Sequence, residues 1–511
     1  MKNRIIRNSI IIFLLTFGVL YKLLITSHGN FIFNIDNARD MVDVREMVVL
    51  HKPRLTGPTS GIEGLYDGPA WYYLLAIPFL LTGGNPYAEV LLMIFLWAIG
   101  GYFLLKTTSR FGNLPLLVAG TLWVASNYIT LTTIYAFNPN PVVLLTPLAV
   151  YLLERYILKN TMVNSVLIWL LAGLFFNFEM AFGLFMPIII LAAVLMSGRV
   201  KEFFKKETVI GFGVFVATLL PQVVFNLRHQ SILFQSVSNN LAGHSSAAKL
   251  NFFDKVGSIV SLYNMTTSAT LMNWQNLEKL ALALLLIAGV ARILTKRGKI
   301  SALTASVIAF IFVPFIGAII LPINIMPWHI GGPMAAIIIL IAELVFYYQS
   351  FGKISRVFVA AFSVVLIFYA FNNLELSKNL DANRVNNDPS SFNNEIAAID
   401  YAYKLTEGKD FKTYIYIPSV IDYPFQYLFW WYGKKSYGYI PKDYAYAPNK
   451  PQYISNKQFF LGDASRADSG LTILIMDLNR PDLEDLWKNS FTDLKTISST
   501  LVGPFRVEAR K

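Results

Sequence analysis

The chain has 511 residues, of which 55% are hydrophobic and only 14% charged, against about 25% charged in an ordinary soluble domain. Together with a mean hydropathy of +0.50, this excludes a water-soluble globular protein and points to an integral membrane protein. The formal charge of +12 is therefore not a nucleic-acid signature but a question of which side of a bilayer the Lys and Arg occupy, and the absence of cysteine excludes disulfides, thiol catalysis and thiolate metal sites.

The N-terminus, Met1-Lys2-Asn3-Arg4-Ile5-Ile6-Arg7, runs apolar to about Ile25. No small-residue cleavage site follows at Ser27-His28-Gly29, so this segment reads as a first span or uncleaved signal anchor. Further apolar runs of spanning length lie near 87–105, 114–132, 139–157, 163–178, 180–197, 208–226, 280–295, 302–321, 332–349 and 355–371, about eleven spans in all. Residues 69–81 (PAWYYLLAIPFLL) contain Pro78 and reach only about 20 Å as a helix, against a hydrocarbon core of about 30 Å. Read as a surface or re-entrant helix, this segment leaves Lys2/Arg4/Arg7, Lys106/Arg110, Arg155/Lys159, Arg199/Lys201/Lys205/Lys206, Lys296/Arg297/Lys299 and Lys353/Arg356 all on one side. The short loops near 133–138, around Asn177 and at 322–331 hold no Lys or Arg and fall on the other. The positive-inside rule then puts the N-terminus in the cytoplasm and the tail outside, as in a multi-pass plasma-membrane protein.

Three outside segments are large: 26–86, 227–279 and the tail. The expected domains are a transmembrane part, 1–372, which includes the first outer loop 26–86, and an extracytoplasmic domain, 373–511. The linker 377–394 is rich in Asn and Ser. In the tail, strand-like runs at Thr413–Ile417 and Leu471–Met476 and a helical piece at Pro481–Lys488 indicate an α/β fold.

Chemistry concentrates in the first outer loop. Asp36, Arg39, Asp40 and Asp43 recur at i, i+3, i+4 and i+7, one face of a helix. Val42, Met47 and Val49 lie on other faces, where lipid contact is expected, so that the helix would lie along the outer membrane surface. The plainer reading is a solvated face with local ion pairs through Arg39. A Gly- and Pro-rich loop, residues 53–73, follows and ends in Trp71-Tyr72-Tyr73. The loops Tyr135-Ala136-Phe137-Asn138-Pro139-Asn140-Pro141, Asn177-Phe178-Glu179-Met180 and Met326-Pro327-Trp328-His329 fall on the same side. So do all five histidines, His28, His51, His229, His244 and His329, whereas Glu343 is the deepest charge in a span.

Asp36-Asn37-Ala38-Arg39-Asp40, then Gly57-Pro58, Gly64, Gly68-Pro69-Ala70-Trp71-Tyr72-Tyr73 and Asn138-Pro139-Asn140 resemble the GT-C membrane glycosyltransferases of the protein-mannosyltransferase and aminoarabinose-transferase type. The resemblance covers the first 200 or so residues best. It implies a polytopic α-helical membrane protein with juxtamembrane helices in the first outer loop and an outer C-terminal domain. It also implies a polyprenyl-phosphate-linked sugar as donor, the bilayer as its reservoir, a glycan, lipid or protein as acceptor, and no nucleic-acid partner. Many relatives carry Asp followed by Glu where this chain has Asp36-Asn37. Inverting displacement then calls for a carboxylate base, for which Asp36 is the first candidate and Asp40 the second. Arg39, Lys52, Arg54, Arg228 and His329 are candidates for the donor phosphate, with His229 and His51 as neighbours of the same type. Tyr66, Tyr72, Asn138, Asn140 and Glu179 are candidates for acceptor contact or loop shaping. A divalent cation, Mg²⁺ or Mn²⁺, on Asp36 and Asp40 is chemically compatible and not demanded.

The aromatic run from Tyr423 to Tyr446 is either core packing or a sugar-stacking surface. Other functional classes also fit a chain of this kind: a lipid-linked-saccharide transporter or flippase, a polysaccharide polymerase or ligase, or a non-catalytic scaffold. A transporter would be expected to show repeats and midplane charges, and a polymerase a large late loop. The acidic loop here comes first.

Overall fold

The computed structural model describes residues 2–241, 251–271, 278–295, 300–321, 325–374, 387–448, 454, 456–462, 466–479 and 481–511. His244, the basic loop Lys296/Arg297/Lys299, residues 322–324 and the linker residues 377–386 lie outside them.

The first part of the chain forms helices α1 (Lys2–Thr26), α2 (Ile35–Val49), α3 (Ala70–Thr82), α4 (Tyr87–Thr108), α5 (Asn113–Ala125) and α6 (Asn127–Ile134). These are followed by α7 (Asn140–Leu158), α8 (Met162–Phe178), α9 (Met180–Gly183), α10 (Met186–Met196), α11 (Val200–Phe203) and α12 (Lys206–Arg228). Then come α13 (Ile232–Leu241), α14 (Phe252–Leu271), α15 (Glu278–Thr295), α16 (Ala302–Ile320), α17 (Gly331–Tyr348) and α18 (Lys353–Asn372). Every segment read as a span from its hydropathy is helical. Among the described residues, seven helices are long and apolar enough to cross a membrane, and α5 with α6, bent by 50°, makes an eighth if taken as one span. The helices α8 and α9–α10 are apolar but no longer than 17 residues, and α15 carries Glu278, Lys279 and Arg292 within its 18 residues. The 69–81 segment is indeed a short helix, α3.

The chain clusters into two compact units. The first comprises Met1–Leu23, Arg54–Trp71 and Leu92–Asn379. Its core is α17, buried over Gly331–Val345 and packed against α5, α7 and α16. A helix apolar all round belongs in such a position. By contrast, α18 leaves Ile354, Val357, Phe358, Val364 and Phe368 exposed, the surface expected against lipid. Loop contacts gather at opposite ends of this unit. At one end Arg110 forks onto Glu154 at 2.9 and 2.7 Å, Arg7 Nε donates to Asn113, and Asn160 N donates to Glu202. The loops at 66–68, 138 and 177–180 meet at the other ends of α7 and α8, where Gln222 of α12 joins them by donating to Tyr66 O. Glu343 is buried near the first of these ends, where Thr304 donates to it and Arg292 Nη2 lies 3.8 Å away.

The second unit comprises Leu24–Pro53, Tyr72–Leu91 and Leu380–Lys511. Its tail portion holds α19 (Phe392–Leu405), β1 (Asp410–Tyr416), α20 (Tyr423–Tyr432), β2 (Asp443–Ala445), β3 (Asp468–Asp477), α21 (Pro481–Lys488), β4 (Thr496–Val502) and β5 (Phe505–Arg510). The sheet order is β2-β1-β3-β5-β4. The pairs β2/β1 and β1/β3 are parallel, while β5 and β4 complete the sheet antiparallel. The α/β expectation for the tail and both of its strand-like runs appear in this sheet. Part of the aromatic run is core: Phe425, Tyr427, Phe429, Tyr439 and Tyr444 are buried, while Trp431 and Tyr432 are half-buried and Tyr437 is exposed.

Glu395 in α19 is buried, and among the described residues its Oε2 has no hydrogen-bond partner. Burial, with Asp388 adding, holds its carboxyl well above the ordinary 4.5. The folded protein keeps this proton where the unfolded chain has lost it. Glu395 therefore favours the fold below about 4.5 and costs stability as the pH rises above it. Glu395→Gln is expected to melt higher than the wild type at pH 7.5, its advantage shrinking toward pH 5 by up to about 1.4 kcal/mol per pH unit. Melting temperatures across that range, with equal pH dependence in both proteins as the contrary result, check this.

Candidate functional site

In the second unit α2 begins at Asn34, whose side-chain oxygen accepts from the backbone N–H of Asp36 and, at 3.5 Å, of Asn37. This N-cap fixes the first turn and points the acidic row. Arg39 donates through Nε to Asp40 Oδ1 at 2.9 Å and through Nη1 to Asp36 Oδ1 at 3.2 Å. The two carboxylates differ in access: the Asp36 side chain is 32% exposed, Asp40's is 0% and Arg39's 15%. Asp36 can meet an incoming group, whereas Asp40 is sealed behind Arg39. Burial works against the Arg39 charge, but Asp40, Tyr72 and Asp36 outweigh it and hold the guanidinium ionised.

The rest of the row is tied into the same unit. Tyr72, buried, donates to Asp43 Oδ2 at 2.8 Å. Tyr423 lies near Asp43, Arg39 and Asp40, and burial with Asp43 pushes its phenol up to about 12. Asn37 Nδ2 donates to the buried Glu89 Oε1 at 3.3 Å. Val42 and Met47 are buried instead of lying against lipid as their helical positions suggested, because α2 packs along α20. Only Val49 is exposed. Arg45, also buried, donates to Gln426 O at 3.0 Å and lies 3.9 Å from the Phe460 ring centroid, a packing role.

A second polar cluster lies in the first unit. Asp67 accepts from Asn138 Nδ2 through Oδ2 and from Met180 N through Oδ1, both at 3.0 Å. Asn138 also donates to Phe178 O at 2.8 Å. Glu179 caps α9, and burial followed by the charge of Asp67 raises its carboxyl above the ordinary range. His329 Nδ1 accepts from Met326 N at 3.1 Å, so a neutral ring carries its proton on Nε2, which lies 3.8 Å from Glu179 Oε1. Asn140 donates to Tyr135 O at 2.8 Å and shapes its turn. The carbonyl of Tyr66 accepts from Gln222 and its ring packs edge-on to Phe225.

Asp67, Asn138 and Glu179 thus converge on one loop junction, with His329 beside it. Gly68 completes this junction, its N–H donating to Asn177 O at 3.1 Å. A Cβ on Gly68 would meet Asn177 Oδ1 at 2.0 Å and the Asn177 Cα at 2.8 Å. Gly68→Ala is therefore expected to cost about 1–3 kcal/mol by overpacking. Thermal melting of the solubilised protein checks this, an unchanged midpoint being the contrary result.

The candidate phosphate-binding cations divide between the units. Arg39 and Lys52 belong to the second, where Lys52 donates to Asn456 Oδ1 at 2.8 Å. Arg54, half-buried, Arg228, exposed, and His329 belong to the first. A dication shared by Asp36 and Asp40 does not fit the residues present, because Arg39 bridges the two carboxylates itself. Among the described residues no three His, Asp or Glu side chains form a metal-holding group.

Sequence reasoning missed Asp67, Asn37 and Glu89. Asp67 had a signal, a lone carboxylate inside a Gly-Pro loop; Glu89 had none, being 52 residues from its partner Asn37.

No family model matches the chain, and no curated protein matches it. Among solved structures it is similar to the crystal structure of ArnT from Cupriavidus metallidurans bound to undecaprenyl phosphate. The identity is 11% and the TM-score 0.61, over 98% of this chain and 97% of that one. It is similar also to ArnT from Cupriavidus metallidurans in the apo state, with 10% identity and a TM-score of 0.62 over 98% of each chain. At this identity the likeness establishes the fold alone: the chain shares the architecture of these ArnT structures along nearly its whole length.

Proposed function

We propose that the protein is an integral membrane glycosyltransferase that moves a sugar from a polyprenyl-phosphate donor to an extracytoplasmic acceptor. The observation that carries this reading is the likeness, over nearly the full length of both chains, to a structure described as bound to undecaprenyl phosphate. The acidic row of α2 supplies chemistry suited to it. The acceptor hydroxyl oxygen attacks the anomeric carbon, the bond from that carbon to the phosphate oxygen breaks, and its electron pair leaves with polyprenyl phosphate. The hydroxyl proton passes to Asp36, the accessible carboxylate of the row, which later releases it to water. Asp40 acts as a positioning residue, anchoring Arg39, and Arg39 in turn orients Asp36.

Orientation belongs to the same proposal. The basic loops at 7, 110 and 199–206 meet at one end of the first unit, which supports a cytoplasmic N-terminus. The loops carrying Asp67 and Asn138 follow residues 7 and 110 by one span, and the loop carrying Glu179 precedes 199–206 by one, so all three would face outside. The tail, one span after the basic pair Lys353/Arg356, would also be extracytoplasmic.

Given a polyprenyl-phosphate sugar and an acceptor, the purified protein is expected to yield a glycoside whose anomeric centre is inverted relative to the donor, read by NMR. A retained centre would overturn direct displacement and with it the role given to Asp36.

A further inference from the structure

One exposed surface of the tail lies apart from the acidic row. After α20 the chain makes a π-turn, Gly433–Tyr437, a feature that recurs at functional sites. Its geometry depends on Gly433: a Cβ there would meet the Tyr403 hydroxyl at 2.1 Å and Tyr439 O at 3.0 Å. The turn folds Tyr437 back over the buried Tyr403, with the rings 4.0 Å apart and 1° from parallel. Tyr403 is itself pinned, its hydroxyl donating to Tyr439 O at 2.9 Å. The other side of Tyr437 is open, the residue being 37% exposed.

Its hydroxyl donates to Asp400 Oδ1 at 2.7 Å, and burial, with Asp400 adding, raises the phenol of the neighbouring Tyr432. Tyr432 stands nearly perpendicular to Tyr437, centroids 6.2 Å apart at 76°, and Trp431 follows at 6.2 Å. Lys435 Nζ lies 4.9 Å from the Trp431 ring centroid. The result is a corner of three half-exposed to exposed rings, stiffened by a stack, a π-turn and a phenol-to-carboxylate bond. Surface rings left to solvent need no such fixing. Rigid aromatic faces do, however, supply contact area at low entropic cost to a bound partner, and this corner adds a polar edge, Asp400, to its apolar faces.

A partner must then combine a flat C–H face with hydroxyl donors along its rim, as a pyranose ring does. A purely apolar partner would desolvate the Asp400 carboxylate, which accepts from Tyr437, without giving it a further donor. We propose that Trp431, Tyr432 and Tyr437, with Asp400, form a saccharide-binding site on the C-terminal domain, in which a pyranose ring stacks on Tyr437 and donates a hydroxyl to Asp400. Lys435 moves off Trp431 as a neighbouring ring enters. The site holds sugar without transforming it, so it stands or falls independently of the transfer reaction.

The test uses the full-length protein in nanodiscs, with maltohexaose and chitohexaose as probes and no donor present. Saturable binding of at least one hexasaccharide is expected. Tyr437→Ala and Trp431→Ala should each weaken it at least about tenfold, and Tyr437→Phe, which keeps the ring, by less than about threefold. Trp431→Ala keeps the test valid if Tyr437→Ala fails to fold, because Trp431 lies outside the Tyr403 stack. Binding of neither sugar, or binding equally tight in all three variants, overturns the proposal. So does protection of Lys434 and Lys435 from amine labelling by lipid alone, which would assign the corner to the bilayer.

Discussion

Asp36→Asn is expected to lower turnover by on the order of 10²–10⁴-fold, the range removed with a general base, while leaving the fold and donor affinity nearly unchanged. The substitution keeps shape and one carbonyl-type acceptor, so Arg39 Nη1 retains a partner at the Asp36 position. What is lost is the capacity to take a proton. Asp40→Asn provides the contrast. The Asp40 side chain has no exposure, so its effect on rate passes through Arg39 and should be smaller than that of Asp36→Asn. It should also be accompanied by a lower melting temperature. Rates of polyprenyl phosphate release from the two variants separate the roles, and equal losses in both would count against giving the proton to Asp36.

The largest stability effect is expected at Arg39. Its guanidinium is the cation between Asp36 and Asp40, one of them fully buried. Removing one partner of such a pair leaves an uncompensated buried charge and costs about 3–5 kcal/mol. Arg39→Met should therefore destabilise the protein by about that amount. The double variant Arg39→Met/Asp40→Asn should regain a substantial part of the loss, because the amide at position 40 no longer carries a buried charge. A double-mutant cycle on melting curves measures this directly. If the second substitution adds its cost to the first, Arg39 matters through its packing and not its charge.

The helical membrane architecture was legible because hydropathy is local: each expected span is helical, although 114–132 and 180–197 are each broken into two helices, and even the short 69–81 segment declares itself by its length. The acidic row was legible for the same reason, since i, i+3, i+4 and i+7 describe one helix face without reference to anything else. What surrounds that face was not. Asn37 meets Glu89, Tyr72 meets Asp43, and Val42 and Met47 turn away from lipid because α20, nearly 400 residues later, packs on α2. Such pairings are tertiary facts with no period to read. The junction of Asp67 with Asn138 and Met180 is of the same kind: the loops were recognisable one by one, but not their convergence. Exposure was equally hidden, and it is exposure that distinguishes Asp36 from Asp40.

The central claim is that the protein consumes a polyprenyl-phosphate sugar. The most direct measurement reconstitutes the wild-type chain in lipid and offers it a panel of polyprenyl-phosphate sugars with mixed glycan, lipid and peptide acceptors, following released polyprenyl phosphate. Acceptor-dependent release from at least one donor, one equivalent for each sugar transferred, is the predicted result; no release from any donor above an empty-membrane control would contradict the account.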